Sequence, residues 1–307
     1  GGVAYALGQH DIKRLLAYHS IENIGIIVLG IGLALLGRSL ERPEWVVLGL
    51  AGALLHVWNH AFFKGLLFLA AGSVIHTTGT RTIDHLGGLA RAMPFTATFF
   101  LVGALAISGL PPLNGFVSEL MIYMGLIRAA LPGGSMFAAF ATPILAMVGA
   151  LAVACFVKVF GAVFLGTART PAAQGAHEAP VAMLWPMGIL TALCVFIGLA
   201  PAAVAPALDR AVAAFVATSG GVPAQPPAVG SLVSFGWLMA LGLGIVVATI
   251  VLTGSRWREL RTPACTGTWS CGYGGGSPRL QYTASSFADL LVGILSGFLR
   301  PRRHLPR

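Results

Sequence analysis

The sequence predicts an all-α fold, a polytopic bundle of transmembrane helices in which one helix is broken. Hydrophobic residues make up 56% of the 307 residues and charged residues 9%, whereas ordinary soluble domains are about a quarter charged. The apolar residues are gathered into runs of about twenty or more, the length that an α-helix needs to cross a bilayer. One of these runs carries two adjacent prolines near its centre. The soluble protein classes are therefore excluded.

The apolar runs follow one another along the chain as predicted spans near residues 17–37, 46–77, 94–129, 140–167, 182–206 and 231–253. Residues 1–10 would be the end of a further span, because their apolar stretch is too short to cross a bilayer. The chain opens with two glycines and no signal peptide is visible. We therefore expect the sequence to be the later part of a longer protein.

The third span is too long for one straight crossing and contains the sequence SGLPPLNG. Pro111 and Pro112 each remove a backbone donor, and Gly109 and Gly115 loosen the backbone around them. A helix break at membrane depth is tolerated where it lines a polar cavity or is buried in protein, and in transporters it marks the ion path. The alternative is a proline kink used for packing. Glu119, which follows the break, favours the functional interpretation.

The second span carries three ionisable residues, His56, His60 and Lys64, at positions i, i+4 and i+8. Steps of four residues keep these side chains on one helix face, over a length of roughly 12 Å. Ionisable residues at membrane depth usually face the protein interior, where they pair or conduct. The pattern predicts a series of proton-carrying side chains, with chance placement in the core as the alternative.

Other titratable residues in or near the spans keep two interpretations open. His19 and Glu22 lie on one face of the first span, where helix capping or solvation at the interface explains them as well as proton transfer does. Lys158 lies near one end of its span, where it could extend its amine to the interface or belong to a proton path. Cys155 lies within an apolar run and is predicted to pack as a small hydrophobic residue.

The charged loops predict the orientation in the membrane. The net charge of +9 is explained by basic loops that obey the positive-inside rule, without nucleic-acid binding. The richer side, expected to be cytoplasmic, holds Lys13, Arg14, Arg81, Arg91, Arg169, Arg256, Arg258 and Arg261. Residues 254–307 would be a tail on that side, and residues 207–230 a loop on the other. Cys265 and Cys271, in the tail, have a spacing that fits no common metal pattern.

Three sequence blocks carry a family resemblance: QHDIKRLLAYHSIENIGI, WNHAFFKGLLFLAAGSVIH and ISGLPPLNGFVSE. They resemble the second half of the antiporter-like, proton-translocating membrane subunits, which include large membrane subunits of respiratory complex I and subunits of multisubunit cation/proton antiporters. The stretch AYHSIENIGI and the tail WSCGYGGGSPRLQYTASSFADLL are similar to one branch. This branch contains the large membrane subunits of hydrogenase-4 and formate hydrogenlyase.

The resemblance implies a fold and a set of site residues. The family fold has two inverted repeats of five helices, each with one broken helix. Residues 1–170 would form most of the second repeat, residues 171–253 additional transmembrane helices, and residues 254–307 the cytoplasmic tail. Lys64 matches the central lysine of the second half-channel, and Glu119 matches a terminal proton site after the break. The proton path would comprise Lys64, Glu119, His60, His56, Glu22, His19 and Lys158.

The function implied is that of a proton-translocating membrane subunit in a hydrogenase-4, formate hydrogenlyase or NADH-quinone-oxidoreductase-like complex. Nickel–iron, iron–sulfur or flavin groups would belong to partner subunits, and we expect no cofactor or metal in this chain. The location would be the bacterial inner membrane. One alternative is a subunit of a multisubunit Na⁺/H⁺ antiporter. An alternative of another class is a non-conducting membrane anchor for redox subunits.

Overall fold

The computed structural model describes residues 1–131, 134–217, 227–259 and 283–287, together with residues 293 and 297. In these ranges the secondary structure is helical, with no strand, and with an isolated bridge between Asp11 and Thr82. The predicted all-α class is therefore confirmed. The helices in the first half of the chain are α1 (Gly2–Leu7), α2 (Ile12–Ser39), α3 (Pro43–Thr78), α4 (Leu89–Ala92), α5 (Pro94–Ile107) and α6 (Asn114–Ala130). Those in the second half are α7 (Met136–Phe164), α8 (Pro171–Gln174), α9 (Val181–Leu199), α10 (Ala205–Ala217), α11 (Val229–Leu232) and α12 (Phe235–Glu259).

Five of the predicted spans are single helices. Within the described residues, α2, α3, α7, α9 and the first part of α12 are long and apolar enough to cross a membrane. The span predicted at 182–206 ends earlier, at Leu199, because Pro201 begins a short 3₁₀ turn. The start of the chain, expected to end a span, is the six-residue helix α1.

The long third span is broken as predicted. Helices α5 and α6 are joined by residues 108–113, which contain the two prolines and have no regular structure. Gly109 has a φ of +60°, in the left-handed region that glycine enters without steric cost. The chain can therefore stop one helix and start the next in the same layer of the bundle.

Helix α3 is the centre of the bundle. It contacts α2, α5, α6 and α9, and its 36 residues correspond to roughly 54 Å of helix. One close approach to α2 is at Gly30 and Gly49, where a Cβ on Gly49 would lie 2.6 Å from the carbonyl oxygen of Gly30. Small residues allow this approach and are typical of helix contacts in membranes. The approach fixes which face of α2 meets α3.

The loops before α2, after α3 and after α7, which were predicted to share one side of the membrane, lie at one end of the bundle. The backbone N–H of Ile12 donates to the carbonyl of Arg81 at 3.0 Å, and that of Gly88 donates to Leu165 at 2.8 Å. The start of α2, the end of α3 and the end of α7 therefore lie at the same end of the bundle. We call this the α3 C-terminal end of the bundle.

The prediction that residues 207–230 form a loop is wrong in its first part. Helix α10 continues to Ala217. Its residues Leu208, Val212 and Val216 are buried, and the helix packs against α3. Their spacing of four residues is a helical period, which outweighs the proline content of the following stretch. Residues 218–226 lie outside the described part.

The predicted tail begins later than expected, because α12 continues to Glu259. Most of the rest of the tail, including Cys265 and Cys271, lies outside the described residues. The described segment 283–287 is held at the α3 C-terminal end. There, the backbone N–H of Ala284 donates to the Asp84 carboxylate at 2.8 Å.

Candidate functional site

His56 joins three helices at the centre of the bundle. Its ring is fully buried, with Nδ1 2.9 Å from Oγ of Ser118 on α6 and Nε2 3.1 Å from Oδ1 of Asn23 on α2. Because the Asn23 oxygen can only accept, Nε2 of His56 is the donor in that bond. Asn23 in turn donates to the carbonyl of His19 at 2.7 Å. Both nitrogens of His56 are therefore satisfied inside the protein.

A pair of asparagines fixes the broken helix against α3. Asn59 donates to the carbonyl of Asn114 at 2.8 Å and to Oγ of Ser118 at 3.0 Å. Asn114, the first residue of α6, returns a bond from its amide to Oδ1 of Asn59 at 3.1 Å. All three side chains are fully buried. The start of α6 is thus held by side chains and not only by packing.

His60 is half-buried, and its Nε2 has no partner in the described part of the chain. Its ring packs edge-on to Phe63, with centroids 5.7 Å apart. It lies close enough to His56 and to Lys64 to interact electrostatically with each. His56, His60 and Lys64 are therefore neighbouring ionisable side chains on α3. Among the described residues, however, the hydrogen bonds of His56 run to other helices and not along α3.

Lys64 is buried against α2. Its amine donates to the carbonyl of Leu16 at 2.5 Å and lies 5.9 Å from the ring centre of Phe68. Glu22 and Cys155 are both within electrostatic range of this amine. A charged lysine in this position is stabilised by a carbonyl, a carboxylate and a ring face instead of by water.

Glu22 interacts with ionisable side chains of its own helix and of two others. His19 and Glu22 are hydrogen-bonded to each other, and both are buried. Glu22 interacts electrostatically with Lys64 and with Glu119. The capping alternative for His19 and Glu22 is wrong, because the cap of α2 is Asp11, which accepts from the first backbone N–H groups of the helix.

Glu119 lies in the second turn of α6, immediately after the break, and is 8% exposed. A Cβ built on Gly109 would lie 2.6 Å from its Oε2. The carboxylate is therefore packed against the broken segment itself. The helix-break residues and Glu119 form one structural unit.

Lys158 does not extend to the interface. It is 4% exposed, and its amine donates to the carbonyls of Leu7 at 2.6 Å and Gln9 at 3.2 Å, at the end of α1. Cys155, one turn earlier on α7, is fully buried and interacts electrostatically with both Lys158 and Lys64. The structure thus places Lys158 in the protein interior.

Sequence reasoning missed the polar residues that connect the helices, namely Asn23, Asn59, Asn114 and Ser118. Each is a polar residue within an apolar run, and Asn59 and Asn23 lie three and four residues from a histidine of the site. That spacing was a usable signal. Within the described ranges, no group of three or more His, Cys, Asp or Glu side chains is arranged to hold a metal ion.

Residues 2–145 match the family described as NADH:quinone oxidoreductase/Mrp antiporter, TM. The chain belongs to this family. The matched region contains α1 to α6 and therefore every site residue described above except those on α7. The antiporter family is the one that the sequence blocks resemble, so that prediction is confirmed.

The antiporter-family chain is similar to two proteins of Escherichia coli (strain K12). It is 41% identical to hydrogenase-4 component B over 286 residues, which are 89% of this chain and 42% of that protein. It is 40% identical to formate hydrogenlyase subunit 3 over 308 residues, which are 99% of this chain and 49% of that protein. The chain thus spans about half the length of these relatives.

A solved structure shares the fold of this antiporter-family chain. In the membrane-bound sulfane sulfur reductase, an archaeal respiratory membrane complex, one chain matches with a TM-score of 0.77 and 28% sequence identity. The match covers 98% of this chain and 46% of that chain. The chain is therefore a multi-pass membrane protein with the antiporter-like fold.

Proposed function

We propose that this chain conducts protons as the later part of a proton-translocating membrane subunit. The complex would be of the hydrogenase-4, formate hydrogenlyase or NADH-quinone-oxidoreductase type, and redox chemistry in partner subunits would drive transport. The names of the similar proteins and the family match support this proposal.

The observation that carries the proposal is that Glu22 interacts electrostatically with both Lys64 and Glu119. These three residues come from three different helices, are buried, and interact electrostatically. Burying ionisable groups is costly, and a scaffold that only holds other subunits has no need of it. A row of ionisable groups whose protonation states influence one another is suited to proton transfer.

Charge coupling supplies the mechanism. In a medium of low dielectric constant, a proton added to one group changes the proton affinity of its neighbours. A proton arriving at Lys64 would therefore change the proton affinity of Glu22. The resulting change at Glu22 would alter the proton affinity of Glu119. Glu119, beside the break, would pass protons to one side. His60 and His56 would extend the path along α3, and Lys158 would extend it through Cys155.

The proposal includes the setting of the chain. The partners would be other membrane subunits and peripheral redox subunits, which would hold any nickel–iron, iron–sulfur or flavin group. Residues 1–170 would be the second half-channel repeat, followed by additional helices to residue 253 and by the tail. The membrane would be the bacterial inner membrane, with the basic α3 C-terminal end and the tail in the cytoplasm.

The test is proton uptake in inverted membrane vesicles that contain the full-length assembly, with redox turnover followed in the same samples. Lys64→Ala should abolish proton uptake while the complex stays assembled. Lys13→Ala, which removes an exposed lysine outside the site, is the matched control and should retain uptake. Unchanged uptake in the Lys64→Ala complex would overturn the proposal.

Two alternatives make different predictions in the same experiment. The family description includes Mrp antiporters, so a cation/proton antiporter subunit is the second candidate. In that case, uptake would depend on added sodium and would continue without a redox partner. A non-conducting anchor would keep uptake in both Lys64→Ala and Glu119→Gln, while assembly would be disturbed.

A further inference from the structure

A second cluster of ionisable groups lies at the α3 C-terminal end of the bundle, in the turn Ile83–His85 and next to it. Nδ1 of His10 is 3.4 Å from Oδ2 of Asp84, and Oγ of Ser285 lies 3.3 Å from the same His10 nitrogen. The His10 side chain is 49% exposed and that of Asp84 is 24% exposed. At this cluster, ionisable side chains are partly exposed to water.

Asp84 is held as a carboxylate. Burial by itself would raise the pKa of the Asp84 carboxyl, but hydrogen bonds from His10 and Ser285 outweigh this effect and hold that pKa well below its ordinary range. Lys158 and Arg169 both interact electrostatically with Asp84. The cluster thus presents a fixed negative charge to the buried amine of Lys158.

From Lys158 the ionisable groups continue into the site already described. Cys155 is one turn away on α7 and interacts with Lys158, with Lys64 and with Glu22. The amine of Lys158 is tied to the carbonyl of Gln9, the residue next to His10. A series of ionisable groups that interact electrostatically therefore runs from half-exposed His10 to buried Lys64.

We propose that His10, Asp84 and Lys158 form a proton port at the α3 C-terminal end, and that segment 283–287 is its cover. The inference rests on the proposed function. His10 takes a proton from water, and the Asp84 carboxylate stabilises the positive charge that forms on the imidazole ring. The proton then passes to Lys158, which releases one proton inward for each that it receives. Glu119 and this port would then serve different ends of one path.

The contacts of segment 283–287 show why it acts as a cover. The backbone N–H groups of Ala284 and Ser285 donate to Oδ1 of Asp84 at 2.8 and 3.3 Å, and Oγ of Ser285 donates to Oδ2. Ala284 is fully buried in the main core of the bundle. With the segment docked on Asp84, Lys158 is 4% exposed.

The extent of chemical labelling at Cys155 reports whether water reaches the protein interior one turn from Lys158. Small charged thiosulfonates modify cysteines that water reaches and leave dry cysteines intact, because the thiolate is the reactive species. Cys265 and Cys271 would be replaced by serine. Cys194, equally buried but on α9, is the internal control. The reagent would be added to either face of the membrane, using vesicles of both orientations that contain the full assembly.

Ala284→Glu should undock the segment, because it places a second carboxylate beside Asp84. We expect labelling of Cys155 to rise severalfold, only with reagent on the α3 C-terminal side, while labelling of Cys194 stays unchanged. Ser286→Glu is the matched control, since Ser286 is exposed and the added charge can remain in water. Protection of Cys155 in the assembled Ala284→Glu complex, or equal labelling from both sides, would overturn the inference.

A second pair of variants separates proton transfer by Lys158 from a structural role at the end of α1. Arginine can still donate to the carbonyls of Leu7 and Gln9, but it does not release its proton in proteins. We therefore expect Lys158→Arg to assemble and to lose proton uptake, as Lys158→Gln does. Full proton uptake in Lys158→Arg would refute the port. The proposed function would still stand if Lys64→Ala lacks uptake. Uptake in Lys64→Ala would instead refute the proposed function itself.

Discussion

The carboxylate of Glu119 lies directly against the backbone of Gly109, across the break between α5 and α6. A Cβ on Gly109 would lie 2.6 Å from Oε2 of Glu119 and 2.9 Å from its Cδ. Gly109 also has a φ of +60°. A single glycine thus serves two purposes, since it allows the backbone to turn and leaves room for the carboxylate.

Gly109→Ala should impair both purposes. The left-handed conformation costs a residue with a Cβ about 1–2 kcal/mol, and the added methyl group must push the Glu119 carboxylate away. We expect a lower thermal unfolding temperature of the purified complex and a loss of proton uptake in vesicles. Gly79→Ala is the control, because Gly79 has a φ of +69° and open space around the Cβ position. If both variants lose uptake equally, the position of Glu119 is not the cause.

Ser118→Ala should weaken the contact between α3 and α6. The change removes the hydroxyl that contacts Nδ1 of His56 and accepts from Asn59, leaving buried polar atoms unpaired at about 1–3 kcal/mol. We expect a lower unfolding temperature and slower proton uptake.

Ser73→Ala is the matched control for this substitution. Ser73 is also fully buried, but the hydrogen bond found for its hydroxyl in the described part is a weak one, 4.0 Å from the Met187 sulfur. Its loss should change the unfolding temperature less and leave uptake unchanged. A larger effect at Ser73 than at Ser118 would contradict the assigned network.

Glu178→Ala should destabilise the start of α5. The Glu178 carboxylate accepts from the backbone N–H of Phe95 at 2.7 Å and from the hydroxyl of Thr96 at 2.6 Å, so it caps a helix distant in sequence. Losing an N-terminal cap costs about 1–2 kcal/mol. Thermal unfolding should show this loss, whereas Glu44→Gln, in a more exposed ion pair with Arg128, should cost at most about 1 kcal/mol. Equal effects would argue against the cap.

The contribution of Asp84 to the docking of segment 283–287 should not depend on pH in the neutral range. Because the pKa of Asp84 is depressed in the folded protein, the stabilisation is complete above its ordinary value of 3.8 and is lost as the pH falls towards the lower folded value. Hydrogen exchange at the amides of Ala284 and Ser285 should therefore give constant protection factors between about pH 8 and about pH 5. A fall in protection within that range would mean that a group other than Asp84 controls docking.

Local patterns were sufficient for much of the fold. The length of the apolar runs determined the spans, and the chemistry of Pro111 and Pro112 determined the break, because both are properties of the chain itself. The same patterns placed His56, His60 and Lys64 on one helix. A clear error, the loop predicted at 207–230, arose because the four-residue spacing of Leu208 and Val212 was not considered.

The sequence by itself therefore determined the class of the protein, its spans, its broken helix and the row of ionisable residues on its second span. Tertiary structure alone decided how those residues are connected. Whether His56 meets Asn23, or Lys158 meets the end of α1, depends on the rotation and register of helices that are distant along the chain. These are set by close approaches such as that of Gly30 to Gly49, and no local periodicity encodes them.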